Sequence, residues 1–219
     1  LNRAIAGVYP PASVFFLVTS GAGLEHGLLS VNKYYPHLCD GGYRFGNRYQ
    51  KCWGVHGNLN VVNALRLSCD VYFYQAGLEI DMERINEFGR RFGLGEEVLG
   101  IDIPGERRGW LPDSASFNKR NKRSGWRWAR GLILNLSIGQ GQLVTPLQQA
   151  VLVGSLATNV GVYKPHLMKE LRDRSGKVIK KFEPEIIRSG QMKESTHKVI
   201  LAGLDSVVNH PGGTGKRGA

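Results

Sequence analysis

Three cysteines and a histidine, Cys39, Cys52, His56 and Cys69, fall within 31 residues in the pattern C-x12-C-x3-H-x12-C. Three soft thiolates and an imidazole make a tetrahedral zinc donor set, and a single ion would pin an otherwise irregular loop to the helix bearing Cys69. The spacings are wider than those of a zinc finger. One disulfide with a spare thiol, or three buried free cysteines, would use the same residues, and His37 and Asp40 compete as ligands. Clustering and the odd count make structural zinc the expectation.

A second set of residues suits acyl chemistry. In "YPPASVFFLV", two prolines and Ala12 bring Ser13 to the head of an apolar run. A serine hydroxyl is a useful nucleophile when a base three or four residues along the same helix face takes its proton. N–H groups at a helix start also face a developing oxyanion. Positions 16 and 17 are Phe16 and Leu17, which accept no proton, and His26 lies about 20 Å along such a helix. The ordinary use of a serine at this place is as a cap. Ser68 and Asp70 flank Cys69 in "SCD" and work as a pair at a helix end or a bend. In "LSIGQGQLVTPLQQA", Gly139 and Gly141 flank Gln140 between a strand-like apolar piece and a helix start. Glycines there let backbone approach a ligand closely, and no Gly-Lys-Ser/Thr follows to make a phosphate loop.

The elements that must carry these residues follow from period and punctuation. With 219 residues, 42% of them hydrophobic, the chain builds one sizeable core, as one domain. Helical spacing is expected over residues 13–26, over 58–77 as far as Gly77, and from Asp81 with Met82, Ile85, Phe88 and Phe92 inward. Thr145 and Pro146 start another helix, and a last one puts Val199, Ile200, Leu204, Val207 and Val208 on one stripe. A surface hairpin is expected over about 163–182, around Ser175-Gly176. Residues 30–58 and 94–135 read as loops. The net charge is +11, which draws polyanions or an anionic bilayer face. Residues 118–131 crowd Lys119, Arg120, Lys122, Arg123, Arg127 and Arg130 around Trp126 and Trp128. Such a stretch can hold single-stranded nucleic acid. Without an accompanying motif it reads as a solvated loop with both tryptophans folded back on the body, and no nucleic acid is expected. No stretch reaches the roughly 20 apolar residues of a membrane span, and no cleavable leader is present.

Taken in order, "LNRAIAGVYPPASVFF", "SCD", "GIDIPGERRGWLP" and "LNLSIGQGQLVTPLQQA" resemble the transpeptidase domain of class B penicillin-binding proteins, most closely the elongation type, penicillin-binding protein 2. The resemblance implies a serine beta-lactamase-like α/β fold, helices against a five-stranded sheet. It also implies that residues 1–219 are a partial domain, truncated at both ends and helix-rich because most of the sheet lies further on. It implies an enzyme at the periplasmic face of the bacterial inner membrane, anchored by a segment outside this chain, that cross-links peptidoglycan stem peptides. Beta-lactams acylate the same serine, and elongation-complex membrane proteins are the implied partners. Carried over by position, Ser13 is the nucleophile, Ser68 and Asp70 line the cleft and assist proton transfer, and Gly139, Gln140 and Gly141 support its wall. Zinc ligands of some members fall at Cys39, Cys52, His56 and Cys69.

The departures are as specific as the matches. Phe16 replaces the lysine of S-x-x-K, and "GLILN" replaces the usual Gly-Asp-Thr segment. The chain stops before K-T-G, and Thr214-Gly215-Lys216 has the reverse order. The expectation is therefore a transpeptidase domain inactive as it stands. The alternatives are a non-catalytic relative that binds peptidoglycan or partner proteins, and a zinc-stabilised nucleic-acid binder.

Overall fold

A computed structural model of the chain describes residues 2–218. The first half runs through α1 (Arg3–Ala6), α2 (Phe16–Glu25), a hairpin of β1 (Gly42–Phe45) and β2 (Arg48–Lys51), α3 (Val61–Leu67), α4 (Asp70–Ile80) and α5 (Met82–Arg91). The second half runs through α6 (Ser114–Arg120), α7 (Leu132–Ser137), α8 (Pro146–Thr158), β3 (Val162–Tyr163), β4 (Glu170–Arg172), β5 (Val178–Lys181), β6 (Ile186–Arg188) and α9 (Glu194–Asn209). The strands form three two-stranded antiparallel sheets, β1 with β2, β3 with β6 and β4 with β5. The domain is helix-rich, as expected.

The centre of the core is α2. Phe16 through Gly23 are all buried, which is why this helix is apolar or small around its whole circumference rather than along one stripe. It packs against α4, α5 and α9. Small residues allow the close approaches: at Gly21 an added Cβ would lie 2.2 Å from Phe88 Cζ of α5. α5 is amphipathic, with Met82, Ile85 and Phe88 buried and Asp81 capping it by accepting the Arg84 N–H. Thr145 and Gln148 form a reciprocal capping box with Pro146 in the first turn of α8, so both starts read from the sequence stand.

Several expected boundaries are revised. The helix expected over 58–77 is broken at Ser68, which takes a left-handed conformation (φ 52°, ψ 49°) between α3 and α4. The strand-like piece before Gly139 is the helix α7, because a short apolar run has no period that separates strand from helix. The stretch 30–58 contains the β1–β2 hairpin, and 94–135 contains α6 and α7. The 163–182 hairpin contracts to β4–β5 around Ser175-Gly176, while Val162–Tyr163 pair instead with β6. Among the described residues no helix is long and apolar enough to cross a membrane.

The Gly21–Phe88 contact gives a direct test of the packing. Gly21→Ala should destabilise the domain by about 1–3 kcal/mol through overpacking, seen as a lower urea midpoint with an unchanged slope. An unchanged midpoint would show that Phe88 has room to yield.

Candidate functional site

Ser13 and Ser68, on separate elements, open onto one groove of about 270 Å³. Phe16 and Leu17 of α2, Leu204 and Val207 of α9 and Thr214 complete most of its wall. Ser13 lies in a 3₁₀ turn, Ala12–Phe15, that leads into α2, and it is exposed. Its hydroxyl has no hydrogen-bond partner among the described residues, so it does not cap the helix it precedes. Phe16 is 2% exposed and stacks on Phe73 of α4, ring centroids 4.0 Å apart and planes within 8°. The residue one turn after Ser13 is thus committed to the core.

The position of Ser13 is set by a distant stretch of chain. Tyr9 and Val144 exchange both backbone hydrogen bonds at 2.9 Å, and the Ala12 N–H donates to the Gly139 carbonyl at 3.0 Å. Ala12 is held at φ 49°, a region that costs a side-chain-bearing residue about 1–3 kcal/mol. Gly139 (φ 75°) sits so close that an added Cβ would lie 2.4 Å from the Ala12 carbonyl oxygen. At Gly139 the close backbone approach is to the Ser13 turn. Gly141 packs on Leu136, where a Cβ would come within 2.3 Å of Cδ2, and Gln140 is exposed. Gln140 and Gly141 do not line the serine groove; their turn braces it from behind.

Ser68 and Asp70 part company at the bend. The left-handed Ser68 faces the groove, and its carbonyl accepts from the Trp53 indole at 2.9 Å. Asp70 begins α4 on the other side, outside the groove lining. Burial, and then the charge of Cys52 beside it, push its carboxyl up to about 7. Asp70 lies beside the cysteine cluster, and of the pair expected to line one cleft only Ser68 lines this groove. Sequence reasoning also missed the α9 wall, Thr214 and Trp53, all brought in by contacts without a local pattern.

The cluster itself assembles. One ligand atom from each of Cys39, Cys52, His56 and Cys69 lies within 4.8 Å of all the others. His56 Nδ1 is 3.4 Å from Cys39 Sγ and 3.5 Å from Cys52 Sγ. The cysteines are free, so the disulfide alternative is not adopted, and His37 and Asp40 stand outside the set. The Cys69 thiol donating to Cys52 holds the Cys52 thiol down. That same bond, with burial, pushes Cys69 up, and burial raises Cys39. A divalent cation would reverse this and deprotonate all three. Tetrahedral zinc at about 2.3 Å from sulfur needs donor atoms about 3.8 Å apart, so this donor set fits it.

Comparison with known proteins decides the family. The family model "Penicillin binding protein transpeptidase domain" matches residues 1–219. The chain belongs to the penicillin-binding protein transpeptidase family. It is 32% identical to the peptidoglycan D,D-transpeptidase MrdA of Escherichia coli K12 over 98% of its own length and 34% of that protein's. It superposes on PBP2 of Pseudomonas aeruginosa, solved in complex with WCK 5153, with a TM-score of 0.81 at 28% identity, covering 99% of this chain and 48% of that one. For PBP2 of Helicobacter pylori in complex with MreC the TM-score is 0.79 at 31% identity, covering 98% and 37%. The chain spans about a third of the length of the curated relatives it matches.

Within this transpeptidase-family domain, Ser13, Ser68 and Thr214 line the groove among apolar walls, with no carboxylate or amine in its lining, and the Thr214 hydroxyl donates to the Arg66 carbonyl at 3.3 Å. The Ser13 hydroxyl, with no base to take its proton, is a weak nucleophile. Its placement depends on Gly139, where a side chain would be strained and would meet the Ala12 carbonyl. Gly139→Ala should cost about 1–3 kcal/mol or more, and faster backbone amide exchange should appear at Ala12 and Val144. Loss of stability without that change would place the strain elsewhere.

Proposed function

We propose that this domain is part of a peptidoglycan D,D-transpeptidase of the cell-elongation type. In this reading Ser13 stands at the nucleophile position, and Phe16 deprives it of its base. The observation that carries the reading is the meeting of Ser13 and Ser68 at one groove, together with the family membership. In the reaction the serine oxygen bonds to the penultimate D-Ala carbonyl of a stem peptide, the bond to the terminal D-Ala nitrogen breaks, and the serine proton passes to that leaving amine. An amine of a neighbouring strand then takes the acyl group and returns the hydroxyl. Ser68 supplies a second groove hydroxyl, while Thr214 donates its own to the Arg66 carbonyl; Asp70 stands on the cluster side of the bend. The whole protein would work at the periplasmic face with elongation-complex partners; its H. pylori relative PBP2 is solved in complex with MreC.

We further infer that Cys39, Cys52, His56 and Cys69 hold a structural zinc ion. The ion would deprotonate the thiols and fasten the hairpin segment to the start of α4. The mutual spacing of the four donor atoms supports this assignment.

Both readings have direct tests. Acylation of Ser13 by a fluorescent penicillin should be slower by about 10²- to 10⁴-fold than in a relative with lysine one turn after the serine. Labelling at an ordinary rate that disappears in Ser13→Ala would show that Phe16 does not disable the site. Metal analysis of the purified protein should find about one zinc per chain, and Cys52→Ser should lose most of it and melt at lower temperature. Equal zinc in both proteins would rule out this ligand set.

A further inference from the structure

A second groove, of about 340 Å³, lies between the β1–β2 hairpin and the basic segment that leads into α7. None of its lining residues is shared with the groove of Ser13 and Ser68. From the hairpin come Phe45, Asn47, Arg48 and Gln50; from the other side come Trp126, Arg127 and Asn135. The hairpin reaches across to the segment at Phe45, whose ring lies 3.7 Å from where a Cβ on Gly131 would be.

The chemistry of this lining is specific. Trp126 is 62% exposed, contrary to the expectation that both tryptophans fold back; Trp128 does fold back, edge-on to Phe117 at 5.7 Å. The side-chain amides of Asn47, Gln50 and Asn135 hydrogen-bond to nothing among the described residues, nor does Arg48 or Arg127 form an ion pair among them. The lining contains no carboxylate. An uncovered indole offers a flat apolar face, free amides pair with hydroxyl and acetamido groups, and guanidinium groups pair with carboxylates. The volume is that of a small-ligand site.

A single-stranded nucleic acid fits less well. It asks for successive aromatic platforms beside a track of cations, yet Trp128 is turned inward and Arg120 is spent over the Trp110 ring at 4.2 Å. One exposed indole beside the half-buried Phe45 ring, three amides and two guanidinium groups instead match an N-acetylated sugar with a carboxylate-bearing substituent. We propose that this groove binds the glycan strand of peptidoglycan at a peptide-bearing sugar, apart from the serine groove. The proposal rests on the transpeptidase reading, which supplies such a polymer as substrate. The groove is also placed to serve it: one wall is the hairpin whose ends carry Cys39 and Cys52, and the other is α7, which runs into the Gly139 turn behind Ser13.

The test is a titration of the full 219-residue chain with a soluble N-acetylglucosaminyl-N-acetylmuramyl tetrapeptide, followed by tryptophan fluorescence and calorimetry. Binding should quench fluorescence, weaken by about tenfold or more in Trp126→Ala and in Arg127→Gln, and survive Ser13→Ala. Circular dichroism of the exposed-site variants should match the parent. Equal affinity in both groove variants, or no binding by the parent, overturns the proposal. So does tighter binding of a single-stranded RNA oligonucleotide with the same dependence on Trp126 and Arg127. These outcomes are read without any acylation, so the proposal can fail while the slow reaction of Ser13 with penicillin stands, and the converse.

Discussion

The backbone pairing of residues 9–12 with residues 139–144 is the constraint on which the serine groove depends. Two reciprocal hydrogen bonds at Tyr9 and Val144 and a third from Ala12 to Gly139 lock the approach to Ser13 before α2 begins. Trp110 and Leu143 exchange bonds on the neighbouring side, so the segment after α7 is clamped between two distant stretches. Those bonds hold Ala12 at positive φ, and the small volume of Gly139 makes the clamp sterically possible. Backbone strain of this kind persists where surrounding structure over-determines it. Here it aims a hydroxyl out of the fold instead of letting it bond locally as a cap.

Phe16 is committed to packing at a position where the proposed reading puts a base. An amine at this position would have to reach the groove from a helix face that is otherwise apolar. A phenyl ring stacks on Phe73 and joins the same core that α2 shares with α4. Phe16 is 2% exposed, as its apolar neighbours on α2 require. The groove lining holds Ser13, Ser68 and Thr214 and no carboxylate, amine or imidazole.

What the sequence made legible were features with local causes. Asp81 and the Thr145–Pro146 start announce their helices through caps, and the cysteine and histidine spacing pointed to a cluster that the fold brings together. Ser68 and Asp70 were readable as a pair at a bend but not as residues facing opposite ways. That depends on a left-handed turn which nothing in a serine announces. The strand-like reading of 132–137 failed because six residues carry too little period to choose. The α9 wall, Thr214 and the groove at Trp126 come from contacts between segments far apart in sequence. For those, local pattern holds no information.

Contacts at its base and against α4, where the Tyr74 hydroxyl donates to the Lys51 carbonyl and the Gln75 amide to the His37 carbonyl, order the segment that carries the cysteine cluster. Between α2 and α3 the chain makes a short hairpin with much of its surface exposed, including Tyr49 and Trp53. Isolated two-stranded hairpins are marginal in water. This one is held at its base, where Cys39 bridges to Gly57 and the Cys52 N–H donates to Gly41. The buried Cys39 and Cys69 join the core beside α4. Because Cys69 sits between Ser68 and Asp70, an ion held by the cluster would fix both the hairpin and the bend that turns Ser68 into the groove. A disturbance of the cluster would therefore reach both grooves: one through the hairpin wall, the other through a single peptide unit.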